Sequence, residues 1–88
     1  MTNAITSNLW KIGQLVIPQP DGSVQLLHYQ AKVYDLPSQY GIEGGLISKL
    51  TITRDGWTLC SYDRGWDVEP DPDDVTEYAV SLLLEIFK

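Results

Sequence analysis

Residues 46–62 read LISKLTITRDGWTLCSY. At the centre stands Asp55-Gly56, a dipeptide suited to a two-residue type I′ turn because both positions tolerate a positive φ. The flanks, Leu46–Arg54 and Trp57–Tyr62, carry the β-branched and aromatic residues that favour strands. The stretch predicts an antiparallel hairpin. Such a turn sets the register: Arg54 faces Trp57, Ile52 faces Leu59 and Leu50 faces Ser61. Leu50, Ile52 and Leu59 then share the core face, while Thr53 with Thr58, Thr51 with Cys60 and Lys49 with Tyr62 take the other. Cys60 is thereby expected to be a half-exposed strand residue; with no base placed beside it, it is not expected to be a nucleophile.

Working outward, Asp35–Gly45 (DLPSQYGIEGG) has too many glycines and too little periodicity for regular structure. Before it, Ser23–Tyr34 alternates, with Leu27, Tyr29, Ala31 and Val33 on one face and His28, Gln30 and Lys32 on the other. Leu9–Ile17 is rich in strand formers and ends at the turn signal Pro18-Gln19-Pro20-Asp21-Gly22. Residues 1–7 are expected to fray. On the C-terminal side a helix is predicted, with Asp71 as N-cap, Pro72 at the first helical position, and Asp73 and Asp74 where the helix dipole favours negative charge. Its core stripe reads Val75, Tyr78, Ala79, Leu82, Leu83, Ile86 and Phe87. A second stripe, Val80, Leu84 and Phe87, widens the apolar arc beyond what one sheet face covers, which predicts a homodimer interface there. The expected fold is α+β: a four-stranded antiparallel β-meander with one C-terminal helix packed on a face (ββββα), a single domain spanning 1–88.

The chain has 88 residues and twelve acids against six bases, for a net charge of -6. The charge is local. Asp63 to Glu77 holds seven acids and one base, and the remaining chain balances to zero. Such a patch attracts a basic partner and repels free nucleic acid. One cysteine precludes an internal disulfide, and no signal peptide or membrane span is visible, so a cytoplasmic setting is expected.

Counting excludes most catalytic signatures. One histidine and one cysteine cannot assemble a Cys/His zinc site or a HExxH pair, and neither Ser48 nor Ser61 has a GxSxG context. His28 reads as a surface strand residue. Gly41-Ile42-Glu43-Gly44-Gly45 lacks the GK[ST] ending of a P-loop. The alternating acids Asp67, Glu69, Asp71 and Asp73 fail as a calcium loop, since Pro72 and Tyr78 stand where glycine and glutamate are required. No catalytic residue, metal or cofactor is expected. Two segments remain too richly furnished for plain loops. Tyr40 and Glu43 lie in one, and Tyr62-Asp63-Arg64-Gly65-Trp66-Asp67 forms the other; a meander places both at the same end. They read as a recognition surface with Tyr40 and Trp66 as anchors and Glu43, Asp63, Arg64, Asp67, Glu69, Asp71, Asp73 and Asp74 as polar contacts.

Two motifs, AKVYDLPSQYGIEGGLISKL at 31–50 and YDRGWDVEP at 62–70, resemble those of a family of small uncharacterised proteins from phages and integrated elements of Gram-positive bacteria. The resemblance covers about the last two thirds of the chain and implies a phage accessory role, with no activity to transfer. On that basis the leading expectation is a non-enzymatic inhibitor of a host defence component, anti-CRISPR-like, whose acidic patch mimics nucleic acid on a basic host protein. The alternative is a sponge for a nucleotide signal. In it Tyr40 or Trp66 stacks on a base, and Arg64 with the Gly44 and Gly45 amides holds a phosphate. A third reading is a structural dimeric accessory protein.

Overall fold

In the computed structural model, which describes residues 9–72 and 74–88, strands β1 (Trp10–Pro18), β2 (Val24–Val33), β3 (Ile47–Arg54), β4 (Trp57–Asp63) and β5 (Trp66–Val68) precede helix α1 (Val75–Ile86). The fraying expected of residues 1–7 and the role expected of Asp73 fall outside the described residues. The five strands form one antiparallel sheet in chain order. The expected α+β meander with a C-terminal helix is present, with one strand more than the four predicted. The additional strand is built from Trp66-Asp67-Val68, residues assigned from sequence to a loop. Three residues are too few to show a period, and β5 exists because β4 offers it a ladder.

The central turn has the expected chemistry, with positive φ at Asp55 (52°) and Gly56 (83°). Arg54 faces Trp57 and Thr53 faces Thr58. Beyond them the register slips, so that Ile52 faces Cys60, Thr51 faces Ser61 and Leu50 faces Tyr62. Leu59 is the extra residue of a β-bulge, which moves every later side chain of β4 to the opposite face. Cys60 is therefore fully buried instead of half-exposed, and Tyr62 joins the core instead of the open face. A second bulge, at Ser48, lets Ile47 share the core face with Leu50 and Ile52.

The core lies on one side of the sheet. Ile17, Leu27, Ala31, Ile47, Leu50, Ile52, Cys60 and Tyr62 meet Ala79, Val80 and Leu83 of α1, with Ile42 added from the loop before β3. The helix is rotated from the predicted stripe: Thr76, Ala79, Val80 and Leu83 are buried, whereas Tyr78 and Ile86 are each 56% exposed. Val80 belongs to the chain's own core, and Leu84 and Phe87 pack against it, Phe87 edge-on to Tyr29 at 6.1 Å. These three residues are not the surplus apolar stripe that a dimer was expected to cover.

The helix starts at Val75, three residues later than Pro72. Its N-cap is Asp74, whose Oδ1 accepts from the Val75 amide at 2.7 Å. Arg54 ties that cap to the sheet. It donates to Gln25 on β2 and, at 3.4 Å, to Asp74 Oδ2. The Val75 amide first and Arg54 second hold the Asp74 carboxyl below the usual aspartate range.

Two stability outcomes follow from this packing. Leu83→Ala is expected to cost about 2–5 kcal/mol and Ile86→Ala under about 1 kcal/mol in urea unfolding, because only Leu83 leaves a cavity; equal costs would place the helix on another face. Asp74→Ala is expected to cost about 1 kcal/mol at neutral pH. A depressed carboxyl stabilises the fold above its unfolded pKa, so the gap between wild type and variant should close as pH falls below about 3.9. A gap that does not narrow at all as the pH falls through the acid range contradicts the assignment.

Candidate functional site

The loop between β2 and β3 and the turn between β4 and β5 meet at one end of the sheet. Tyr62 Oη, carried to the core face by the Leu59 bulge, donates to the Tyr40 carbonyl at 2.8 Å. The Arg64 amide donates to the Ser48 carbonyl at 3.3 Å, and its guanidinium lies 5.9 Å from the Tyr40 ring centre. Arg64 itself takes the left-handed conformation (φ 63°), which turns it out of the β4–β5 turn. Within the loop, the Ser38 hydroxyl accepts from the Tyr40 amide, and the chain folds so tightly that a Cβ on Gly41 would run into the Gly45 carbonyl.

Between these segments and the open face of the sheet lies a cleft of about 560 Å³, lined by Lys32, Tyr34, Leu36, Ser38, Tyr40, Ser48, Lys49 and Arg64. Three of the chain's six basic residues converge there. Lys32 and Lys49 stand directly opposite one another across the β2–β3 ladder. Like charges so placed cost the fold about 0.2–1 kcal/mol. Asp63, facing Lys49 from β4 at 3.9 Å, relieves part of this. Lys32 lies 5.5 Å from the Tyr34 ring centre and 6.0 Å from that of Trp10. Hydrogen bonding from Lys32 holds the Tyr34 hydroxyl below the usual phenol range, with Coulombic attraction from the same ammonium adding to it.

Of the residues expected at the site, Tyr40 and Arg64 line the cleft and Asp63 borders it through Lys49. Glu43 is exposed in a 3-10 turn, Ile42–Gly44, and does not line it. Trp66 is half-buried, edge-on to Tyr62 at 5.0 Å and packed against the core, so it serves as a lid and not as a free anchor. Asp67, Glu69 and Asp71 are exposed, and Asp74 caps the helix. The Gly44 and Gly45 amides, expected to hold a phosphate, donate to the Gly41 and Ile42 carbonyls at 3.0 Å each. Sequence reasoning missed Lys32, Tyr34, Ser38, Ser48 and Lys49. Lys32 and Lys49 lie 17 positions apart across an irregular loop, and only the β2–β3 pairing register brings them together.

The family model described as Domain of unknown function (DUF7678) matches residues 10–88 of this chain. The chain belongs to this family. No curated protein and no solved structure matches it. The matched residues of this DUF7678 chain span every described strand, the helix and the whole cleft. Among the described residues, no group of three or more His, Cys, Asp or Glu is arranged to hold a metal ion, and no helix is long and apolar enough to cross a membrane.

Cys60 lies apart from the cleft. Burial pushes its thiol up to about 11, so the thiolate is nearly absent at neutral pH. A disulfide reagent at pH 8 should leave the folded protein unmodified and react with one thiol after urea is added; rapid reaction in the native state would contradict the bulged register of β4.

Proposed function

We propose that this protein is a non-enzymatic binding module that sequesters a phosphorylated, ring-bearing small molecule of the nucleotide class in the cleft of Lys32, Lys49 and Arg64. The observation that carries the reading is the convergence of three cations, two of them adjacent across the sheet, in a chain of net charge -6. Uncompensated like charges destabilise a fold, and a phosphate placed between them turns repulsion into charge-assisted hydrogen bonding. Ser38 and Ser48 add hydroxyl donors, and the half-exposed rings of Tyr34 and Tyr40 offer faces for a base. The cleft lining holds no cysteine, histidine or carboxylate, which supports a module that holds a ligand over one that transforms it. The resemblance to phage and prophage proteins supplies the setting: withdrawal of a nucleotide signal from a host defence response.

The other reading, an anti-CRISPR-like acidic surface placed on a basic host protein, has a narrower foundation. Asp63 faces Lys49, and Asp74 is engaged by the helix N-terminus and Arg54. Asp67 and Glu69 stand exposed on the surface.

The test compares wild type with Lys32→Gln in calorimetric titrations against ADP, a cyclic dinucleotide and pyrophosphate. Wild type should bind at least one nucleotide more tightly than pyrophosphate, with affinity falling as salt is raised. Lys32→Gln should weaken binding at least about tenfold, the loss of one charge-assisted bond. Its ligand-free stability should change by less than about 0.5 kcal/mol, because relieved repulsion offsets the lost contacts with Trp10 and Tyr34. Absence of heat with all three compounds, or equal affinity in the variant, removes the proposal.

A further inference from the structure

The two edges of the sheet differ in kind. β5 is three residues long, carries Asp67, and is followed by Glu69, features that discourage pairing with another strand. β1 is nine residues long, carries Lys11 as its one charge, and has its proline at the last position. Nothing among the described residues pairs with its outer side.

The direction of the free groups can be read from the ladder. The Leu9 carbonyl accepts from the Val33 amide and the Gln19 amide donates to the Ser23 carbonyl, both at 2.8 Å. These bonds lie on odd positions, so antiparallel alternation turns the N–H and C=O groups of Ile12, Gln14 and Val16 outward. The side chains of those residues stand on the open face of the sheet, where Ile12 is 73% and Val16 61% exposed. Leu26, paired with Val16, and Val24, paired with Pro18, extend the apolar row.

Charge distribution selects what can approach. Asp21, in the turn after β1, is the only acid before Asp35, so eleven of the twelve acids lie from Asp35 onward. At the β1 edge, opposite β5, two copies of this acidic chain can meet with their acidic segments kept apart.

We propose that β1 pairs antiparallel with β1 of a second copy about a two-fold axis at Gln14, merging the two sheets into one of ten strands. In that register Ile12 of each copy faces Val16 of the other. The outward amides of Ile12, Gln14 and Val16 are then satisfied, and the apolar row becomes continuous across the junction. Both clefts open on the same face of the joined sheet. This interface replaces the one expected at Val80, Leu84 and Phe87, and it does not depend on what the cleft holds.

Sedimentation equilibrium of the full chain at micromolar concentration should give twice 9.9 kDa for wild type. Val16→Lys, which places a charge on an exposed edge, and Gln14→Pro, which removes an outward amide and no donor of the β1–β2 ladder, should each raise the dissociation constant at least tenfold. Ile86→Lys, on exposed helix surface, should remain a dimer. Amide exchange of wild type provides a reading that needs no variant: Ile12, Gln14 and Val16 should exchange slowly when concentrated and rapidly on dilution. A wild-type mass of 9.9 kDa, a dimer that survives both edge variants, or protection of these amides that dilution leaves unchanged overturns the proposal.

Discussion

The bulge at Leu59 is the constraint on which the rest of the molecule depends. Without it, the Asp55-Gly56 turn would send Cys60 and Tyr62 to the open face and leave the core without either side chain. With it, Cys60 and Tyr62 complete the core under α1, and the Tyr62 hydroxyl reaches the Tyr40 carbonyl. That bond joins the β2–β3 loop to β4. Trp66 then packs edge-on against Tyr62, which seats β5 on the sheet and turns Arg64 toward the loop. One inserted residue thus sets both the core and the wall of the cleft.

The second organising interaction is Arg54, which joins β2, β3 and the start of α1 through Gln25 and Asp74. Helix caps are readable from sequence only as a class of residue, and the segment Asp71-Pro72-Asp73-Asp74 offers several. The one used, Asp74, is also bonded by Arg54. Packing of the helix on the sheet, and not the cap, sets its buried face: Val80 enters the core while Tyr78 and Ile86 face outward.

Charge has two distinct roles here. The acids of the C-terminal half set the net charge and the sign of the surface, and they read plainly from composition. The bases are fewer, and their meaning lies in where the fold places them. Lys32 sits on the polar face of an alternating strand and Lys49 on the polar face of a hairpin; either alone reads as a solvated lysine. Side by side, with Arg64 and two tyrosines around them, they form a site.

The sequence by itself determined the α+β meander, the hairpin about Asp55-Gly56, the irregular loop of residues 35–45 and the existence of the last helix. These rest on local rules: side-chain period, turn dihedrals and the preferences of glycine and proline. Only the tertiary structure decided the bulges at Ser48 and Leu59, the strand at Trp66–Val68, the cap at Asp74 and the partners of the lysines. A bulge changes no local preference, and a three-residue strand has no measurable period. Both are selected by which register buries the most apolar surface against the helix, a quantity that exists only once the chain has closed on itself.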